Sequence, residues 1–292
     1  MHNAFVQAVQ DAGGELAPVE TATALIWADA QDSSPYPEII AKAPHVQWVQ
    51  LPYAGVENFS EYLDNNHIWT CGKGVYADPV AEYIVGALLL GLRDFYKFVP
   101  ANSWQTRTGR NLLGADITVL GGGGITESLL RLLQPWKCKV TVVRRSAASF
   151  SGAIRTVTLS SAVDAVVETD AVVLSLALTN ETRHVVDEKL LDAMSTNAWL
   201  INVARGGHVD HKALADALRS DSIAGAVLDV TDPEPLPDDS ELWSLPNCII
   251  TPHTGNTAEM GLPLITRRVK ENVSRWINGK PMLGLVDVLH GY

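Results

Sequence analysis

The chain has 292 residues, of which 47% are hydrophobic and 19% charged, and its formal net charge is −11. That composition demands a sizeable folded core and excludes a disordered chain. The acidic surplus argues against nucleic acid as a generic partner, because phosphate binding needs basic surface.

The first helix-like stretch covers residues 5–11. Apolar runs at 25–27 and 46–50 read as short strands, with a helix at 38–42 between them. This predicts a smaller α/β unit. A strand would normally precede 5–11, so either this unit lacks its first strand or the recorded start is late. Residues 79–98, apolar with Glu82, Arg93 and Asp94 inside, predict one helix crossing into a larger unit. Around 83–92 it is more apolar than one buried face requires, which predicts a twofold homodimer that covers it. That stretch is also about half the length needed to span a bilayer, so no membrane segment is expected.

Strand candidates then recur at 117–120, 140–143, 156–159, 171–176, 199–203, 225–230 and 249–251. Helical stretches lie between them at 127–133, 162–168, 187–193 and 211–219. The alternation predicts βα units and a doubly wound, Rossmann-like parallel sheet. Strands apolar throughout fit a sheet covered on both faces. Residues 232–239, rich in proline and acid, read as a loop, and 264–276 as an amphipathic helix that crosses back. The smaller unit is therefore expected to be discontinuous, residues 1–77 with 268–292, around a dinucleotide-binding unit at 78–267. Cys71, Cys138 and Cys248 stand far apart with no C-x-x-C. They read as buried, inert thiols in a reducing compartment. The start, Met1-His2-Asn3-Ala4-Phe5, carries no secretory pattern. A cytoplasmic protein is expected.

Ile117-Thr118-Val119-Leu120 runs into Gly121-Gly122-Gly123-Gly124-Ile125-Thr126 before a helix. Strand, glycine turn and helix form the context of a dinucleotide site. Gly121 permits the tight turn and Gly123 lets the backbone approach a pyrophosphate at the helix N-terminus. Thr126 occupies the third glycine position of G-x-G-x-x-G, which predicts a slightly displaced helix. The next strand ends Val143-Arg144-Arg145-Ser146. An acid there would bind a ribose 2′-hydroxyl. Arg144, Arg145 and Ser146 either are solvated strand-end side chains or suit a 2′-phosphate. They predict NADP(H) as the preferred cofactor, with NAD(H) possible.

Three polar residues follow late strands. Arg205 comes after Asn202-Val203-Ala204, and its guanidinium can fork onto a carboxylate and polarise a ketone oxygen. His253 comes after Thr251-Pro252, and its imidazole can give and take a proton at neutral pH. Glu234, in the loop after 225–230, can orient that imidazole and favour its charged form. Strand ends of an α/β sheet are where ligands bind.

With these residues in place, the chain resembles the D-isomer-specific 2-hydroxyacid dehydrogenase family. The matching segments are Tyr53-Ala54-Gly55-Val56, Gly74-Val75-Tyr76-Ala77 with Val80-Ala81-Glu82, the glycine turn, residues 176–183, 202–207, 228–235 and 251–255. The resemblance implies a flavodoxin-like smaller domain for the substrate. It implies that Arg205, Glu234 and His253 are catalytic. It implies that Val80, Gly121, Gly123, Gly124, Ile125, Arg144, Arg145, Ser146, Leu176, Ala177, Thr182, Val203, Ala204, Asp229 and Gly255 line the cofactor. Asp229, polar on a buried strand, is alternatively a hydrogen-bond anchor. Tyr53, Ala54, Gly55, Val56 and Tyr76 are implied to hold and flank the substrate. Ala177 stands where the family usually has proline. No metal is expected. The implied reaction is hydride transfer between NADP(H) and a small 2-keto or 2-hydroxy acid of the glyoxylate/hydroxypyruvate type. The rival is a dinucleotide-binding sensor or corepressor with little turnover. Trp48, Tyr53 and Trp243 are either the walls of a pocket for a bulkier acid or ordinary core.

Overall fold

A computed structural model describes residues 1–29 and 32–289. The chain divides into two compact units, Met1–Tyr76 with Thr257–Tyr292, and Ala77–Asn256. The smaller unit contains α1 (His2–Asp11), β1 (Ala24–Ile26), α2 (Tyr36–Ala41), β2 (Trp48–Gln50) and β3 (Ile68–Thr70). The larger unit opens with α3 (Ala77–Leu92) and a single turn, α4 (Phe95–Phe98). Its βα units follow as β4 (Asp116–Leu120), α5 (Gly124–Leu133), β5 (Lys139–Val143), β6 (Arg155–Val157), α6 (Ala162–Ala165) and β7 (Ala171–Leu174). They continue as α7 (Glu188–Ala193), β8 (Trp199–Asn202), α8 (His211–Arg219), β9 (Gly225–Leu228) and β10 (Cys248–Ile250). The chain then returns to the smaller unit as α9 (Ala258–Ile277).

The larger sheet has seven parallel strands in the order β10-β9-β8-β7-β4-β5-β6. The winding reverses between β4 and β7, the switch point at which doubly wound sheets bind ligands. All of Ala171–Leu174, Trp199–Asn202 and Gly225–Leu228 is buried. That is why these strands read as unbroken apolar runs.

The smaller sheet is parallel, in the order β1-β2-β3. One face packs Trp27, Tyr36 and Phe59 edge to ring, with Trp69 tilted against Tyr36. The other packs Trp48 against Phe5 of α1 and Ile265, Val269 and Val273 of α9. A buried polar chain fastens the last helix to this sheet. Trp48 Nε1 donates to Thr70 Oγ1 (2.7 Å), Thr70 Oγ1 to Gln50 Oε1 (2.9 Å), and Asn272 Nδ2 to the same oxygen (2.8 Å). Trp48 is therefore core, fully buried, and not a wall of a substrate pocket. The returning segment starts at Thr257 rather than at 268, because α9 is one uninterrupted helix capped by the Thr257 hydroxyl.

The helix expected over 79–98 ends at Leu92. Asp94 adopts left-handed backbone (φ 55°), which no helix continues through, and α4 starts anew. Most of the apolar excess of α3 is absorbed inside its own unit. Ala81, Ile84 and Leu88 are fully buried. The three cysteines are free thiols. Burial pushes all three thiols up, that of Cys248 to about 12. Among the described residues, no helix is long and apolar enough to cross a membrane, and no side-chain cluster could hold a metal ion.

Candidate functional site

Strands β8, β9 and β10 are parallel neighbours, so their C-terminal ends share one edge. Arg205 lies just beyond β8. Its loop passes so close to the loop after β9 that a Cβ on Gly206 would sit 1.9 Å from the Thr231 carbonyl carbon. Only glycine fits there. The loop after β9 carries Glu234, and beyond β10 stands His253. His253 Nδ1 meets Glu234 Oε1 at 2.7 Å. The carboxylate accepts, so Nδ1 carries the hydrogen, and Nε2 is the nitrogen left to exchange a proton with a ligand. Both side chains are about half exposed, His253 51% and Glu234 43%, as residues that meet a small molecule must be.

The arginine is held by residues to which its sequence motif assigned no role. Asn202, fully buried at the end of β8, accepts from Ala204 N (3.0 Å) and donates to the Arg205 carbonyl (2.9 Å). His208, also fully buried, places Nδ1 2.9 Å from the same carbonyl. That carbonyl can only accept, so Nδ1 donates. Burial pushes the His208 imidazole below its ordinary value, and the Arg205 and Arg183 charges push the same way. The available signal was a polar residue closing an apolar strand. Arg205 Nη1 itself donates to the Ala204 carbonyl at 2.7 Å.

At the switch point, Gly121 takes φ 124°, and a Cβ there would sit 2.5 Å from the Ser175 carbonyl oxygen. Gly123 caps α5 with extended backbone and no side chain, and the space above it is open. An amide-rich helix start with that clearance fits a pyrophosphate. Thr126 is fully buried. Its hydroxyl donates to the Gly121 carbonyl (3.0 Å), so the Ser175 hydroxyl, also at 3.0 Å, must donate to it. The residue at the third glycine position thus ties the turn to the strand end after β7.

Arg144 lies beside this turn, its Cδ 2.9 Å from where a Gly122 Cβ would be. Its guanidinium is 5.5 Å from the Phe150 ring centroid. Arg145 and Ser146 are exposed. Gly124 and Ile125 form the first turn of α5. Val203 and Ala204 are buried under the Arg205 loop, and Val80 is buried in α3. Leu176 is half-buried and Ala177 exposed. The loop after Ala177 is closed by Thr182, whose hydroxyl donates to the Ala177 carbonyl at 2.8 Å and accepts from Thr179 N at 2.8 Å. Asp229 is buried, and its carboxylate accepts from Gly255 N at 2.8 Å.

In the smaller unit, residues 52–56 and 71–76 form paired loops. Gly72 N donates to the Tyr53 carbonyl (2.7 Å) and Tyr76 Oη to the Pro52 carbonyl (2.6 Å). Tyr53 and Ala54 are exposed, Gly55 is half-buried, and the Val56 side chain is core. Burial pushes the Tyr76 phenol up, in keeping with a hydroxyl that braces the loop as a donor. In the larger unit, Trp243 is 51% exposed and its indole donates to the Pro237 carbonyl.

The family described as D-isomer-specific 2-hydroxyacid dehydrogenase, NAD-binding domain, matches residues 84–255. The chain is 34% identical over 246 residues to the (S)-sulfolactate dehydrogenase of Chromohalobacter salexigens, covering 82% of this chain and 80% of that protein. It is 28% identical over 257 residues to the glyoxylate reductase of Pyrococcus furiosus, covering 83% and 76%. Among solved structures, a D-isomer-specific 2-hydroxyacid dehydrogenase from Xanthobacter autotrophicus Py2, in complex with NADPH and MES, is similar at a TM-score of 0.87. The two share 26% identity, over 100% of this chain and 96% of that one.

Proposed function

Because the chain belongs to the D-isomer-specific 2-hydroxyacid dehydrogenase family, we propose that it reduces a small 2-keto acid of the glyoxylate or hydroxypyruvate type with NADPH. The observation that carries this reading is the His253–Glu234 pair at 2.7 Å, on the strand-end edge that also bears Arg205. When bound, the dinucleotide supplies the hydride that reduces the keto carbon. Arg205 stabilises the negative charge that grows on the keto oxygen. His253 Nε2 delivers the proton to that oxygen, while Glu234 holds Nδ1 and stabilises the imidazolium. Donors fixed in advance at a developing charge usually contribute a large part of the rate. In the smaller unit, the amides of Gly55 and Val56 are the proposed donors to the acid's carboxylate, with Tyr53 and Tyr76 flanking it.

Arg144, beside the glycine turn, supports NADPH over NADH. A charge-assisted bond to the 2′-phosphate is worth enough for a preference of about tenfold or more. The free, inert thiols suit a cytoplasmic location, and exposed Phe95, Val99 and Trp104 suit a homodimer.

A panel of 2-keto acids assayed with both cofactors tests the reading. Turnover is expected with NADPH, and Arg144→Ala is expected to erase the preference. Better kcat/KM with NADH would refute the cofactor assignment. Binding of NADPH with no turnover of any keto acid would leave a dinucleotide-binding protein and overturn the reductase assignment. His253→Ala is expected to lower kcat by ~10²–10⁴.

A further inference from the structure

His253 holds a backbone conformation that an ordinary side chain avoids, with φ 53°. Something must keep it there. Its amide donates to the carbonyls of Asp229 (2.9 Å) and Thr251 (3.0 Å). The residues on either side are fastened to the Asp229 side chain. Thr251 Oγ1 lies 2.6 Å and Thr254 N 2.7 Å from Oδ1, and Gly255 N lies 2.8 Å from Oδ2. The carboxylate is thus the hub of the loop that presents the imidazole.

One further group reaches that hub from α3. The Tyr83 hydroxyl lies 2.6 Å from Thr251 Oγ1. The directions follow from valence. A carboxylate oxygen facing these donors only accepts, so Thr251 spends its one hydrogen on Asp229. Thr251 Oγ1 can then only accept, and Tyr83 must donate to it. The relay runs Tyr83 O–H to Thr251 O–H to Asp229 Oδ1. Tyr83 is half-buried on a helix otherwise packed with apolar side chains. A phenylalanine would fill that place equally well if packing were its only task.

We propose that Tyr83 and Thr251 are positioning residues for the reduction, acting through Asp229 to hold His253 in its left-handed conformation and so aim Nε2 at the keto oxygen. The proposal rests on His253 being the proton donor. It predicts a defect in the proton-transfer step larger than any in cofactor binding, because the relay grips the loop of His253 and leaves the glycine turn untouched, although Asp229 and Gly255 are also expected to line the cofactor.

The experiment compares Tyr83→Phe, Thr251→Val, Thr251→Ser and Tyr83→Phe/Thr251→Val with wild type and with His253→Ala. Steady-state kinetics are run in H₂O and D₂O, with NADPH affinity measured by fluorescence titration. A misaimed catalytic group costs up to about 10²-fold even when the substitution is remote. Thr251→Val is therefore expected to lose roughly ten- to a hundredfold in kcat, with NADPH affinity lowered far less than kcat and a larger solvent isotope effect. Thr251→Ser restores the hydroxyl and kcat. Tyr83→Phe loses less, since Thr251 still bonds Asp229. The double variant matches Thr251→Val, as two links in series must. Wild-type kcat in Tyr83→Phe together with wild-type kcat in Thr251→Val overturns the proposal. So does a loss confined to NADPH affinity, or one with an unchanged isotope effect. Should Thr251→Val fail to fold, an unaltered kcat and isotope effect in Tyr83→Phe alone overturns it. If His253→Ala itself keeps full turnover, the reductase mechanism fails first, which separates the two ideas.

Discussion

His208 is fully buried, with its Nδ1 bonded to the Arg205 carbonyl. Its proton affinity is depressed chiefly by burial. The sign of the consequence is fixed. Where a folded-state value lies below the unfolded one, the unfolded chain binds more protons at intermediate pH, so stability falls as pH falls. The contribution is complete above the ordinary histidine value of 6.5 and is lost below it. His211 is shifted the same way, again chiefly by burial, so the two add. Thermal melts at ~pH 7.5 and ~pH 5.5 are expected to differ less in His208→Gln than in wild type, because glutamine keeps a donor and cannot titrate. An identical difference in both proteins would show that His208 is not held neutral by the fold. Neither His208 nor Asn202 was assigned a task from sequence, because their importance lies in burial, which one residue letter does not reveal. Arg205, Glu234 and His253 were legible for the opposite reason: each is a polar side chain just past an apolar strand.

Elements buried on both faces read out of the sequence almost residue by residue. The strands at Ala171–Leu174, Trp199–Asn202 and Gly225–Leu228 are apolar because nothing else survives there. Nothing in the sequence announces β3. It is three residues long at the edge of its sheet, with Ile68 40% exposed. Apolar composition also ran on through 95–98 and concealed the break at Asp94, which is a matter of one φ angle. The start of α5 was legible in its glycines, whereas the outcome of Thr126 was not. A threonine at a packed glycine position predicts displacement, yet its hydroxyl bridges Gly121 and Ser175. Thr126→Val keeps the shape and removes that bridge, leaving the buried Gly121 carbonyl and Ser175 hydroxyl without it. The expected loss is about 1 kcal/mol, or roughly 2–4 °C in Tm for a unit of this size, with a raised KM for NADPH. Unchanged melting and an unchanged KM would mean that the bridge contributes nothing to the turn.

At the scale of the whole molecule, the larger unit shows more apolar surface than its own fold consumes. The helix expected to supply a dimer face, α3, is mostly buried in its own unit by Ile84, Ala87, Leu88 and Leu92. The exposed surface comes just after it, where Phe95 is 48%, Val99 83% and Trp104 91% exposed. Single exposed apolar residues are unremarkable, but three within ten positions of chain, beside the left-handed break at Asp94, concentrate apolar exposure in one segment, which water penalises. A twofold dimer is the common means of covering such a segment, and an aromatic anchor of this kind commonly carries ~2 kcal/mol or more of an interface. Sedimentation at micromolar protein is therefore expected to give twice the chain mass. Trp104→Glu is expected to weaken association by roughly thirtyfold, producing monomer at concentrations where wild type stays paired. A wild-type protein that sediments as a monomer at micromolar concentration, or a Trp104→Glu protein that stays fully paired, would place the dimer contact elsewhere or remove it.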